Sequence, residues 1–66
     1  MENNSYTVVK SFANPYFELM VVKQPVLGYS LVKIFNYEVS VLATGYQDYS
    51  AISEEFDKAM VKAIGH

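Results

Sequence analysis

Two periodicities divide this chain. Up to about residue 44 the apolar positions recur every second residue, the spacing of strands; from residue 50 they recur every third or fourth, the spacing of a helix. The segment 5–12 is rich in β-branched and aromatic residues, sets Tyr6, Val8 and Phe12 on one side, and predicts a first strand. Asn14 and Pro15 stop it, since both favour turns and proline restricts its neighbour. A second strand is predicted over 16–23, with Phe17, Leu19 and Val21 on one face and Tyr16, Glu18, Met20 and Val22 on the other. Gln24, Pro25, Val26, Leu27 and Gly28 have the length and chemistry of a hairpin loop.

A third strand over 29–35 opposes Tyr29, Leu31 and Phe35 to Val32 and Ile34. Asn36, Tyr37 and Glu38 read either as a tight turn or as the middle of one long strand. The turn is favoured, because a continuous strand would far exceed the usual length of about 5–6 residues and asparagine tolerates the left-handed conformation. A fourth strand follows over 39–44, with Val39, Val41 and Ala43 facing one way, Leu42 the other, and Gly45 as its end.

The helix is predicted over 50–64. Ile52, Phe56, Ala59, Met60, Ala63 and Ile64 make one apolar stripe at helical spacing. Asp48 and Ser50 are candidate caps, and Glu54 and Glu55 lie early, where the helix dipole favours negative charge. Lys58 follows Glu54 by one turn, in the better orientation for a helical ion pair, Lys62 lies near the end, and Gly65 supplies a stop. The fold class is therefore α+β: a three- to four-stranded antiparallel meander followed by one C-terminal amphipathic helix packed on one face. Residues 1–4 are expected to be a disordered N-terminus, and 5–65 a single small β-β-β-β-α domain.

Size makes such a domain marginal. Sixty-six residues permit one core, and 52% hydrophobic content is enough to build it. Small domains often add a staple, but this chain has no cysteine, so disulfides are excluded, and a single histidine without cysteine excludes a structural zinc. Oligomerisation is the common device that remains. The N-terminus lacks a basic region followed by an apolar stretch, and the longest aliphatic run, Leu19 to Val22, is far too short to span a bilayer, so a cytoplasmic protein without membrane association is expected.

Catalytic chemistry is not legible. The only histidine, His66, ends the chain, and Gly28, Gly45 and Gly65 are too far apart for a phosphate loop. Glu54, Glu55 and Asp57 suit the solvated side of a helix start, while Glu18 and Glu38 invite pairing across the sheet with Lys33 or Lys10. No enzyme activity, cofactor or metal is expected.

The apolar surplus is more informative. One helix covers one face of a sheet, yet the second and third strands carry apolar residues on both. Tyr16, Met20, Val22, Tyr29, Val32, Ile34 and Tyr37 are therefore the predicted protein interface, serving a homodimer or a protein partner. The expected function is a non-catalytic interaction module acting as a small regulator or inhibitor of another protein, of the kind encoded by phages and mobile elements. The alternative is a single-stranded nucleic-acid binder that stacks bases on sheet aromatics. A formal charge of −2 and five lysines without any arginine argue against that alternative. Lys10, Lys23 and Lys33 sharing one sheet face or edge would argue for it.

Leu42, Ala43, Thr44, Gly45 and Tyr46, followed by Ser50, Glu54, Glu55, Phe56, Ala59 and Ala63, are similar to the strand–glycine–helix ending of small antitoxin-like and phage-encoded domains. The glycine-cysteine and Gly-Asp-Thr pattern of the HicB-type antitoxins is absent, and no family is assigned on this resemblance.

Overall fold

The structure, a computed structural model, describes residues 6–64. The predicted fraying of 1–4, the start of the first strand at Ser5, the helix stop at Gly65 and His66 lie outside the described residues. Four strands, β1 (Thr7–Ala13), β2 (Phe17–Gln24), β3 (Gly28–Phe35) and β4 (Glu38–Tyr46), form one antiparallel sheet in the order β1-β2-β3-β4, and the helix α1 (Tyr49–Ile64) packs against it. The predicted meander with a C-terminal helix is the observed fold.

Each connection follows from local chemistry. At the first turn, the Asn14 side-chain oxygen accepts hydrogen bonds from the backbone N–H groups of Tyr16 (2.8 Å) and Phe17 (2.9 Å), and the Asn14 N–H donates to the Phe17 carbonyl (3.0 Å), an Asx turn. The second loop is shorter than the sequence suggests. Gln24 and Gly28 pair as strand residues and only 25–27 loop out, with Gly28 at φ 86°. Glycine is required there twice over, because a Cβ would also run into the Tyr46 carbonyl oxygen. Asn36 (φ 56°) and Tyr37 (φ 67°) form the predicted tight turn between the paired residues Phe35 and Glu38. Two central residues at positive φ make it type I′, the turn whose twist matches a hairpin.

Both edge strands depart from simple alternation. A bulge at Val9 in β1 puts Tyr6 and Val8 on one face and Lys10 and Phe12 on the other, so the expectation that Tyr6, Val8 and Phe12 share a side is corrected. In β4, Val41 stands opposite Val32 and Ala43 opposite Leu31, leaving Leu42 as the extra residue. Val39 and Val41 thus face away from the helix, whereas Ala43 faces it. Gly45 does not end the strand either. It sits in a second irregularity at φ 79°, and β4 continues to Tyr46.

The helix decides which face is core. Leu19, Val21, Leu31, Ile52 and Phe56 are buried together, with Phe12, Phe17, Tyr29, Ala43, Tyr46, Ala59 and Met60 packed around them. The chain enters α1 through Asp48, whose carbonyl accepts the Ile52 N–H (3.3 Å) and whose carboxylate accepts the Ser50 hydroxyl (3.0 Å). Its first turn holds no acid, so Glu54 and Glu55 lie too far along to meet the dipole as expected. Lys58 pairs with Glu55 at 3.7 Å rather than with Glu54, an exposed contact that adds little. Lys10 ties β1 to the helix instead: its ammonium donates to Ser53 Oγ (2.8 Å) and Asp57 Oδ1 (3.2 Å), and lies 4.7 Å from the Phe56 ring centre. The expected partners Glu18 and Glu38 face Ala13, Ile34 and Phe35 across the sheet, not lysines.

Candidate interaction surface

With the helix on one side and a shortest Cα dimension of 15 Å, the protein has two layers, and the second sheet face meets solvent. The unbulged central strands supply its middle: Met20 and Val22 from β2 stand directly beside Val32 and Ser30 of β3. The two-residue turn at 36–37 fixes the register of β4 so that Val39 lies opposite Ile34 and Val41 opposite Val32. On the other flank, the Val9 bulge brings Val8 opposite Val22, with Tyr6 beyond it. The result is a continuous apolar surface with a shallow concavity of 340 Å3.

Its polar groups are few: Gln24, Ser30 and Thr44 line the concavity. Ser30 is buried, and its hydroxyl is hydrogen-bonded to that of Thr44 at 2.9 Å. Glu18, between Ala13 and Ile34, is the one charge among the described residues of this face. The outer positions remain open to water: Val39 is 65% and Val41 62% exposed on one flank, and Val8 and Tyr6 are exposed on the other. Valines in these numbers on one face form the kind of patch that marks an interaction site.

The seven predicted interface residues divide into three groups. Met20, Val22, Val32 and Ile34 come together on the open face. Tyr16 and Tyr37 belong to the turns at one end of the sheet, where with Phe35 they border a 460 Å3 concavity; Tyr37 is 99% exposed. Tyr29 is on the opposite, helix-covered face, edge-on to Tyr49 with ring centres 5.7 Å apart, and is corrected to a core-flanking residue. Tyr6, Val8, Val39 and Val41, outside the predicted set, share the open face. For the last two, the signal was present in the register that a two-residue Asn-Tyr turn imposes.

Lysine placement bears on the nucleic-acid alternative. Lys10 reaches helix residues, Lys23 lies 5.4 Å from the Tyr29 ring, and Lys33 lies 5.4 and 5.7 Å from the rings of Phe17 and Phe35. All three therefore do share one sheet face, the condition that would favour that alternative, but it is the face that the helix covers. Among the described residues the open face carries no lysine and one aromatic ring, Tyr6, so it offers neither a stack of rings nor cations for phosphates. No three of His, Cys, Asp and Glu gather among the described residues as a metal ion would require. No described helix is long and apolar enough to cross a membrane. No protein-family model, curated protein or solved structure matches this chain.

Proposed function

We propose that this chain is a non-catalytic interaction module that pairs with a second copy of itself through the open sheet face, and acts by docking onto a protein that it regulates. The observation that carries the reading is the continuous valine-rich face of Met20, Val22, Val32, Ile34, Val39 and Val41, interrupted by a single charge. Such a face suits a second copy. Laid on its own image, it brings no opposed charges together in the middle, and its apolar rows interdigitate as in stacked sheets about 10 Å apart.

Size supports the same occupant. Four strands about 4.8 Å apart and eight residues rising about 3.3 Å each span roughly 19 by 26 Å. With pleats and side chains, that approaches the ~800 Å2 per partner of a standard interface. The need is also present, because among the described residues only six hydrophobic side chains are buried in the isolated chain. Edge pairing is disfavoured by the bulges in β1 and β4, which twist the free edges away from a flat partner strand.

Sedimentation equilibrium from about 1 to 200 μM is the test, over the usual affinity range of such small interfaces. Wild type is expected to move from monomer to dimer. Val41→Lys, at an already exposed site, is expected to stay folded and monomeric. A wild type that remains monomeric throughout, or a Val41→Lys variant that dimerises unchanged, refutes the pairing.

A further inference from the structure

The apolar stripe of α1 runs further than the sheet can cover. Ile52 and Phe56, in its first two turns, are buried, whereas Ala59 is half-buried and Ala63 and Ile64 are exposed. Where the later turns pass over β3 and β4, their small side chains leave a cleft of 620 Å3. Its floor is apolar. Leu19 and Leu31 reach it from the central strands, and the β4 bulge turns both Leu42 and Ala43 into it.

Its rim is cationic. Lys33 approaches from β3, and Lys58 and Lys62 from the helix, so three of the five lysines of an acidic chain border one cleft; the one acid among its lining residues, Glu55, is paired with Lys58 at 3.7 Å and leaves the rim with a net positive charge. A cleft of this size is in the range that small molecules occupy. Apolar floor and cationic rim together specify an amphiphile with a negatively charged head.

We propose that the cleft between α1 and the β3–β4 hairpin binds a medium-chain carboxylate. The alkyl chain lies over Leu19, Leu31 and Leu42, and the carboxylate sits at the rim among Lys33, Lys58 and Lys62. The site lies on the helix side of the sheet, is separate from the open face, and does not depend on self-association.

Dodecanoate is the probe, titrated below its micelle concentration into the full chain and followed by amide chemical shifts. Saturable binding with a Kd of about 1 mM or tighter is expected, from the usual per-atom efficiency of small ligands. The shifts should centre on Ala43, Ala59 and Ala63. Dodecyltrimethylammonium should bind at least several-fold more weakly. Ala63→Phe, at an exposed helix position, fills the cleft and is expected to abolish binding, while Lys62→Glu weakens it and leaves the fold intact. The proposal is overturned if dodecanoate fails to bind, or if the cationic analogue binds as well. It is equally overturned if Ala63→Phe binds unchanged, or if the shifts centre on Met20, Val32 and Val41 of the open face. Binding to anionic phospholipid vesicles without binding of free dodecanoate also overturns it, in favour of a membrane surface.

Discussion

Replacing Tyr37 by glycine should make this protein more stable. Tyr37 occupies the second central position of the type I′ turn at φ 67°, a conformation in which an L side chain crowds its own backbone. That crowding costs roughly 1–2 kcal/mol. Glycine removes the crowding but gives the unfolded chain more freedom, returning roughly 0.5–1 kcal/mol of the gain. The ring is 99% exposed, so no packing within the chain is lost. The net expectation for Tyr37→Gly is a gain of about 0.5–1 kcal/mol, which corresponds to a rise in Tm of about 2–8 °C for a chain of this length. Against a total stability of about 3–10 kcal/mol for such a chain, that is readily measured. Urea unfolding at low micromolar concentration is the assay, and the midpoint should rise without change in slope. A fall in midpoint at that concentration refutes the reasoning, since it means the ring stabilises the isolated chain despite its exposure.

The two glycines at positive φ separate strain from collision. Gly28→Ala meets both, because its Cβ strikes the Tyr46 carbonyl, and should cost about 2 kcal/mol or more; Gly45→Ala points into open space and should cost only the backbone strain of about 1 kcal/mol. Equal losses in parallel urea melts would contradict that ordering. In the core, Ile52→Val removes one methylene from a fully buried site and should cost about 0.5–1.5 kcal/mol. A neutral result by thermal melting would mean that the helix is not seated on Leu19 and Val21 as described.

The helix and the central hairpin were legible in the sequence because nothing there interrupts the period. The stripe from Ile52 to Ile64 and the cap at Asp48 place α1 within one residue of its observed start, and the alternation in β2 and β3 assigns Leu19 and Val21 against Met20 and Val22 correctly. The edge strands were harder to read. An inserted residue reverses every assignment beyond it, and Val9 and Leu42 are ordinary strand residues that give no sign of being extra. Simple alternation therefore puts Phe12 and Ala43 on the wrong face. Gly45 departs in the opposite way: glycine suggests a strand end, but its positive φ lets the strand bend and continue. Four of the seven predicted interface residues share the open face because they come from the regular strands. Tyr16 and Tyr37 belong to turns, whose side-chain directions alternation does not encode.

The irregular edges also set a limit on growth. A sheet that adds copies along its hydrogen-bonding direction has no natural end, since every addition exposes a new edge like the last. Here the extra residues at Val9 and Leu42 spoil both outer rows of backbone donors and acceptors as templates. The pairing proposed across the valine face would instead cover the surface that drives it, and a two-fold arrangement would leave no equivalent face behind. An assembly of that kind is finite by geometry: on this proposal, raising the concentration is expected to fill the dimer and then stop, without nucleating fibres.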